Sequence, residues 1–211
     1  MSTLGRDELL DALGAESPSE RLYVTPLLDT EEQIDQGAID LRLGTEFLLL
    51  KRVRSPGIDP RTLEKVGFGE MQERLVVPFG EELWLHPRNF VLAATLEYLG
   101  LPPNMSASVV GRSSWGRLGL LVATAIFVHP GFRGCLTLEL VNEGDAPICL
   151  SPGMRIAQLV VDRHDELTVP SPNKEKKYLA PVRPQPSRLW TEREELQRLG
   201  SLGDGLRSRL G

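Results

Sequence analysis

The sequence predicts an all-β protein, and three observations support that prediction. From residue 21 onward, short segments rich in Val, Ile, Leu and Thr are separated by proline or glycine, as in folds made of many short strands. Residues 134–142 alternate at the period of a strand with one buried face. Pro152 and Gly153 suit the central positions of a type II turn, which predicts a hairpin between residues 148–150 and 154–160.

The length of the chain and its leading segment predict one β domain with a short helix in front. The 211 residues, 41% of them apolar, are enough to bury one sizeable core. Leucines at near-helical spacing behind a Ser2 or Thr3 cap predict a helix over residues 3–13. We expect this helix and the strands to form a single domain over residues 1–190.

Two further segments are predicted to lie outside the β core. Residues 55–73 are charged and weakly periodic, which is typical of a long surface excursion. After Val161 the chain becomes polar and proline-rich, as in an extended arm that could reach a neighbouring subunit. Thr191 and Glu194 form a capping box, so residues 191–199 are predicted to be a C-terminal helix, followed by a tail to residue 211.

Composition and charge exclude several classes of protein. No apolar run approaches the roughly 18 residues that a membrane span needs, and the N-terminus lacks the pattern of a signal peptide, so we expect a soluble, cytoplasmic protein with no membrane partner. The net charge of −5 argues against bulk nucleic-acid binding. Cys135 and Cys149 are expected to be free, buried thiols rather than a disulfide.

The strand predicted at residues 134–142 places one carboxylate opposite its leucines. Side chains alternate along a strand, so Glu139 shares a face with Cys135, Thr137 and Val141 and lies away from the leucine face. If the Glu139 face lines a cleft, burial raises the pKa of that carboxyl, which can then both take and give a proton. The alternative is a solvated Glu139 on an open face.

A glycine-flanked loop at residues 111–119, with the sequence GRSSWGRLG, is the second candidate site. Arg112 and Arg117 are placed so that one can address a phosphate and the other a ring or a carboxylate. Ser113 and Ser114 could instead form a turn that satisfies local backbone groups, and Trp115 is of a residue type more often found in a core.

These motifs resemble the dCTP deaminase branch of the dUTPase-like superfamily. The match consists of residues 36–44 (QGAIDLRLG), 95–98 (TLEY), 101–104 (LPPN), 111–120 (GRSSWGRLGL), Thr124-Ala125, 129–134 (HPGFRG), Leu138-Glu139, Asn142 and 152–159 (PGMRIAQL). It runs in order through most of residues 20–190. An ordered series of motifs is far more specific than any one of them.

The resemblance implies a fold, a reaction and an assembly. The implied fold is a distorted antiparallel β barrel or jelly roll of the dUTPase-like type, here with short N- and C-terminal helices. The implied reaction is hydrolytic deamination of dCTP to dUTP and ammonia in pyrimidine deoxynucleotide metabolism. The implied assembly is a homotrimer whose active sites are shared between subunits, with Mg²⁺ bound only through the substrate triphosphate.

The resemblance also implies roles for individual residues. Glu139 would relay protons from the attacking water to the pyrimidine, while Ser113 and the Ala125 carbonyl hold that water. Arg117 would support the charged intermediate. The implied substrate contacts come from Arg112, Ser114 and the amides of Trp115 and Gly116 on the phosphates, backbone groups of Thr137 and Leu138 on the base, Gln158 on the nucleotide, His129 on the sugar and Lys177 near the phosphates.

Such a reaction does not need a catalytic metal. Attack at C4 of cytosine requires a deprotonated water and a proton for N3, and one carboxyl of raised pKa can serve both steps in turn. The zinc deaminase pattern requires H-x-E followed by P-C-x-x-C. His164 and Glu166 fit the first half, but no cysteine follows them, so we expect no zinc.

The chain departs from the family pattern at several positions. His129 stands where the family has Asp, which argues against dUTPase activity and against a bifunctional enzyme that forms dUMP. Pro181 stands where a Gln is expected, and Val169 or Pro170 stands where a Tyr is expected, although Lys174, Lys176 and Lys177 could compensate by charge. These departures leave two alternatives open: a deaminase of another cytosine nucleotide, and a trimeric nucleotide-binding sensor or regulator without turnover.

Overall fold

The computed structural model describes residues 2–51, 57–59, 71–123, 127–165, 180–192 and 198. The described residues of 1–49 and 74–185 form one compact unit, and those of 50–73 and 186–211 form a second. In the second unit, Lys51 and Glu73 form an ion pair at 3.2 Å. The predicted division into one domain over 1–190 and a helix with a tail over 191–211 stays a prediction.

The elements follow one another as β1 (Ser2–Thr3), α1 (Arg6–Gly14), β2 (Tyr23–Thr25), α2 (Thr30–Gln33), β3 (Ile34–Asp35), β4 (Ala38–Leu50), β5 (Gln72–Val76), β6 (Leu83–Leu85), β7 (Phe90–Gly100), β8 (Met105–Gly111), α3 (Ser113–Gly116), β9 (Leu120–Val122), β10 (Phe127–Val128), β11 (Arg133–Asn142), β12 (Ile148–Leu150), β13 (Arg155–Arg163) and a 3-10 helix (Leu189–Glu192).

The N-terminal helix is present, but its start differs from the prediction. Ser2 and Thr3 do not cap it, because they form β1 and pair with β13. Helix α1 begins at Arg6, after Gly5, whose N–H donates to the Glu8 carboxylate at 2.9 Å. The leucine periodicity thus located the helix, whereas the local cap signal placed its start too early.

Strand β4 joins the two halves of the sheet. Its first half, residues 39–42, pairs with β13, and its second half, residues 43–49, pairs with β7. Gly44 lies where the partner changes, and a Cβ there would lie 2.9 Å from the Ala94 carbonyl oxygen. The register on β7 shifts after Leu43. A side chain at residue 44 would therefore push apart the two strands that the bend brings together.

The sheet curls until strands near its two ends meet. Its path runs β10-β8-β13-β4-β7-β11-β9, with β1, β2, β3 and β5 paired alongside, and the described ladders are antiparallel. Gly111 at the end of β8 lies against β9, since a Cβ built on it would be 3.3 Å from Cγ2 of Val122. Phe47, Leu43, Leu99, Leu138 and Ile156 are among the fully buried side chains of the enclosed core. The prediction of an all-β, curled antiparallel fold is confirmed.

The hairpin predicted at Pro152 and Gly153 is wrong, although the turn itself is present. Gly153 has a φ of +90°, and Met154 donates its N–H to Ser151 at 3.2 Å, as a type II turn requires. After the turn, however, β13 pairs with β4 and β8, while β12 pairs with β6. Leu43 fixes this exit, because its carbonyl accepts from Gly153 and its N–H donates to Met154.

Several other predictions concern segments that are only partly described. Most of the excursion at 55–73 and of the helix at 191–199 lies outside the described residues. Both cysteines are free, as predicted, but Cys149 is only half-buried, and its thiol donates to the Glu82 carboxylate at 3.1 Å. No helix in the described ranges is long and apolar enough to cross a membrane.

Candidate functional site

Strand β11 presents Glu139 as the sequence predicts. Leu136, Leu138 and Leu140 are buried in the core, while Thr137 and Glu139 are half-buried on the other face. Burial raises the pKa of the Glu139 carboxyl above its usual range. Glu139 is therefore suited to hold a proton at pH values where an exposed glutamate would have lost it.

The edge of β11 next to Glu139 has backbone groups that pair with no described strand. Leu136 donates its N–H to the Thr95 hydroxyl of β7 at 2.9 Å, whereas the Glu139 carbonyl accepts from Ala123 at 2.7 Å on the opposite edge. Backbone groups alternate between edges, so those of Thr137 point to the Ala123 side. Strand β9 pairs with residues 140–142, and residues 124–126, which follow Ala123, lie outside the described residues, so the structure describes no strand beside the Thr137 backbone.

Residues 181–185 contact β11 at Cys135 and Thr137, close to Glu139. Cys135 donates its N–H to the Pro181 carbonyl at 2.6 Å, and the Thr137 hydroxyl accepts from the Gln185 N–H at 3.1 Å. Gly134 is required here, because its φ is +139° and a Cβ would lie 2.5 Å from Cδ of Pro181. Pro181, which stands where the family pattern has Gln, thus anchors the segment to β11.

The loop at residues 111–119 contains the single-turn helix α3. Ser113, Ser114, Gly116 and Arg117 are exposed, whereas Trp115 is half-buried against the core and donates its indole N–H to the Arg155 carbonyl at 2.8 Å. The polar side chains of the loop are therefore accessible, and Trp115 attaches the loop to β13.

The backbone amides of this loop are not all available to a ligand. Trp115 and Gly116 both donate to the Arg112 carbonyl, at 3.0 and 3.3 Å. This geometry argues against the predicted phosphate contacts of those two amides. No described carbonyl accepts from the N–H groups of Ser113 and Ser114, which leaves them as the accessible amides of the turn.

Asp40 is a residue of the site that the sequence analysis quoted in a motif but gave no role. Its buried carboxylate lies 3.6 Å from Nε of Arg112 and 3.4 Å from Nη1 of Arg155, and it accepts from the Gln158 amide at 3.1 Å. Gln158, predicted to contact the nucleotide, therefore has Asp40 as a partner. The available signal was a charged residue inside an apolar strand.

The end of the loop is fixed by two glycines and a buried asparagine. Gly119 has a φ of +89°, and a Cβ there would lie 2.7 Å from the Gly144 nitrogen. Asn142 is fully buried; its side chain donates to the carbonyls of Leu85 and Ala146 and accepts from Gly144. Asn142 thus holds the connection against which Gly119 packs.

His129 lies in an exposed turn rather than in a pocket formed by described residues. Its carbonyl accepts from the Phe132 N–H at 3.1 Å, and its ring meets Phe127 edge-on, with ring centroids 5.0 Å apart. Its predicted contact with the sugar stays a prediction.

The predicted residues fall into two groups that β9 connects. Arg112 and Gln158 meet at Asp40, while Thr137, Leu138 and Glu139 follow one another on β11; β9 leads from the loop to a pairing with β11. Leu138 is fully buried, and by the same alternation its backbone groups face β7, so its contact with the base stays a prediction. Ala125 lies outside the described residues, as do Lys174, Lys176 and Lys177.

Glu97 is a second buried carboxyl to which the sequence analysis gave no role. Burial raises its pKa to about 7, although the Arg42 N–H and the Gln33 amide, each 2.9 Å from one of its oxygens, act in the opposite direction. Gln33 also donates to the Asp40 carbonyl. Glu97 is completely enclosed and has no access to a ligand.

Comparisons with known proteins agree on one family. A sequence model described as dCTP deaminase-like matches residues 4–164. A Methanobrevibacter smithii protein named "dCTP deaminase, dUMP-forming" is 42% identical over 173 residues, which is 80% of this chain and 88% of the relative. A Halorubrum lacusprofundi protein named "dCTP deaminase" is 47% identical over 140 residues, which is 66% of this chain and 68% of the relative.

A solved structure supports the fold independently. The 2'-deoxycytidine 5'-triphosphate deaminase from Agrobacterium tumefaciens superposes with a TM-score of 0.57 at 24% sequence identity. The match covers 75% of this chain and 46% of that one, so this chain spans about half the length of the solved structure. At this identity the likeness is evidence for the curled β fold.

Proposed function

The chain belongs to the dCTP deaminase-like family, and we propose from that premise that it hydrolyses the 4-amino group of dCTP and releases ammonia. One structural observation above all supports this proposal. Glu139, a half-buried carboxyl of raised pKa, lies beside Thr137 on the face of β11 that points away from the leucines. Deamination of a pyrimidine needs such a group, because protons must move from the attacking water to the ring and to the leaving nitrogen.

In the proposed reaction Glu139 takes a proton from a water molecule as the water oxygen bonds to C4 of cytosine. The same carboxyl then gives that proton to N3. It next takes the proton of the new C4 hydroxyl and gives it to the amino nitrogen, so that the C4–N bond breaks, ammonia leaves and C4 becomes a carbonyl carbon. A carboxyl whose pKa is raised by burial suits both transfers, because it holds a proton more readily than an exposed glutamate and can still give it up. Ser113 and the Ala125 carbonyl are proposed to hold the water, and Arg117 to support the charged intermediate.

The triphosphate is proposed to bind at the loop of residues 111–119. Arg112, the hydroxyl of Ser114 and the amides of Ser113 and Ser114 are the donors that this loop leaves accessible. Magnesium bound to the phosphate oxygens would neutralise part of their charge. In this arrangement the metal needs no ligand from the protein. Asp40, the carboxylate that pairs with Arg112, already has Arg155 and Gln158 as further partners and is not left to bind a metal itself.

We also propose that the protein is a homotrimer with shared active sites. The loop and the strands beside it expose Val110, Leu118, Leu121 and Phe127, with exposed fractions from 39% to 63%. Exposed apolar side chains around a polar site favour burial against a second copy. In such an assembly the loop of one subunit could complete the site at Glu139 of another.

Two products are compatible with the family. dUTP is the product proposed from the sequence, because His129 replaces the Asp associated with phosphate hydrolysis. The names of some relatives, including the Methanobrevibacter smithii protein, give dUMP as the product instead. Formation of dUMP would add hydrolysis of the bond between the α- and β-phosphates and release diphosphate.

The test is incubation of the full chain with Mg²⁺ and dCTP, dCMP, CTP or dUTP, followed by chromatography of the nucleotides. We expect dCTP to be deaminated, with kcat rising with pH as Glu139 ionises. The Glu139→Gln variant should lose at least about 10²-fold in kcat while still binding dCTP. Glu143→Gln, at an exposed carboxyl one residue beyond β11, should retain wild-type activity.

Each other outcome has a distinct meaning. If dCTP is converted to dUMP and not to dUTP, the dUMP-forming reaction replaces the proposed one. Deamination of dCMP or CTP in preference to dCTP would identify an altered substrate. Binding of dCTP without any turnover would overturn the enzyme proposal in favour of a nucleotide sensor.

A further inference from the structure

We propose that Asp40 is a positioning residue that holds Arg112 in the orientation needed to bind phosphate, an inference that rests on the proposed function. Asp40 lies in β4, and Arg112 directly follows β8. These strands are not neighbours, since β13 runs between them. The Asp40 carboxylate reaches across β13 to the guanidinium at 3.6 Å.

Asp40 uses only the inner side of the Arg112 guanidinium. The ion pair is made through Nε, and the two terminal nitrogens have no partner among the described residues. The Arg112 side chain is 30% exposed, so its outer side can meet a ligand. A planar guanidinium anchored at Nε retains two parallel N–H donors, the arrangement that binds phosphate oxygens in a bidentate manner.

The neighbours of Asp40 keep its carboxylate in place. Gln158 donates to Oδ1, the oxygen that faces Arg112, and Arg155 lies 3.4 Å from Oδ2. Arg155 is itself held by Glu32, through a hydrogen bond to the carbonyl at 3.0 Å and an ion pair to the carboxylate at 3.8 Å. The side chain of Asp40 is thus restrained on both oxygens and acts as a fixed anchor.

The backbone of Arg112 is restrained from the same side. Trp115 and Gly116 donate to its carbonyl, and the Trp115 indole bonds to the carbonyl of Arg155. With backbone and Nε both fixed, little side-chain freedom is lost when a phosphate binds. Without the carboxylate, Arg112 and Arg155 would be two neighbouring cations with no charge between them, and Arg112 would turn towards solvent.

The experiment measures binding without turnover, in the Glu139→Gln background. Dissociation constants for dCTP and for inorganic tripolyphosphate, each with Mg²⁺, are determined by calorimetry. Asp40→Asn should weaken both ligands by about tenfold or more, which is the range for one charged hydrogen bond. Arg112→Lys keeps the positive charge but lacks the planar guanidinium, so it cannot pair with Asp40 and offer two parallel donors to phosphate at once. It should weaken both ligands to a similar degree.

A double variant and a matched control separate positioning from general damage. Adding Asp40→Asn to Arg112→Lys should weaken binding little further, because both changes remove the same interaction. Glu31→Gln removes an exposed carboxylate that pairs with Arg6 and with neither Arg112 nor Arg155, and it should change affinity less than about twofold. In the otherwise wild-type enzyme, Asp40→Asn should raise KM for dCTP and leave kcat within about threefold.

Several results would overturn the proposal. They are unchanged tripolyphosphate affinity in a folded Asp40→Asn variant, fully additive effects in the double variant, or a fall in kcat at constant KM. If thermal melts show that Asp40→Asn does not fold, Arg112→Lys decides alone, and wild-type affinity there refutes the inference. If Asp40→Asn weakens tripolyphosphate binding but the wild type does not deaminate dCTP, the proposed function is wrong and this inference holds.

Discussion

Replacing Glu97 with glutamine should change how stability depends on pH. Glu97 is fully buried, and its pKa is raised from 4.5 to about 7, with burial as the largest cause. The folded state therefore prefers the neutral acid. The stability associated with this preference is fully present below pH 4.5 and is lost as the pH rises through about 7.

The size of the effect follows from the pKa difference. Each unit corresponds to about 1.4 kcal/mol, so ionisation of Glu97 lowers the free energy of unfolding by up to about 3 kcal/mol. Most of this loss, about 2 kcal/mol or more, should fall between pH 5 and pH 8. Glu97→Gln has no such group, so its stability relative to the wild type should rise by about 2 kcal/mol or more over that interval.

The assay is denaturant or thermal unfolding of both proteins at equal concentration from pH 5 to pH 8. Glutamine is not a neutral replacement in this site, because its amide would face the donating amide of Gln33. The test therefore uses the change of the difference with pH and not the difference at one pH. Glu81→Gln, at an exposed carboxyl, is the control and should show a small, constant difference. A constant difference for Glu97→Gln as well would refute the reasoning.

Two further predictions concern the frame of the loop. Gly119→Ala should lower the free energy of unfolding by at least about 2 kcal/mol, because φ is +89° and the new Cβ would meet Gly144. The control is Gly116→Ala, where a Cβ meets nothing within 4 Å, and thermal melts should show it to be neutral or slightly stabilising. Asn142→Ala should cost about 3 kcal/mol, because it removes three hydrogen bonds from a side chain to the backbone, one of them buried and two partly buried. Asn89→Ala, at an exposed side chain, should stay within about 0.5 kcal/mol, and equal losses in the two asparagine variants would contradict this role for Asn142.

The strand carrying Glu139 could be predicted from sequence because its signal is local. Its leucines alternate with other residues over the whole of β11, and burial of one face produces that pattern directly. The Pro152–Gly153 turn was predicted correctly for the same reason, since a type II turn depends on its own residues. The partner of β12 was not, because a turn fixes the local chain direction and does not choose between β13 and the distant β6.

The role of Asp40 could not be predicted because its partners lie far along the chain. Arg112, Arg155 and Gln158 approach Asp40 only when β13 lies between β4 and β8. The sequence showed a charged residue in an apolar strand, which signals a buried interaction without identifying it. The same holds for Glu97, whose partners Gln33 and Arg42 belong to the segment around β3 and β4.

The loop of residues 111–119 is fixed at both ends and accessible in the middle. At its start, Asp40 and β13 hold Arg112 and Trp115; at its end, Gly119 packs on Gly144, which Asn142 holds. Between these anchors the two serines and Arg117 are exposed. A loop restrained in this way pays little conformational entropy when a ligand binds, which is an advantage for a polyanion whose contacts are individually weak in water. Buried polar residues remote from the reacting atoms therefore contribute to the site by fixing where its exposed donors can be.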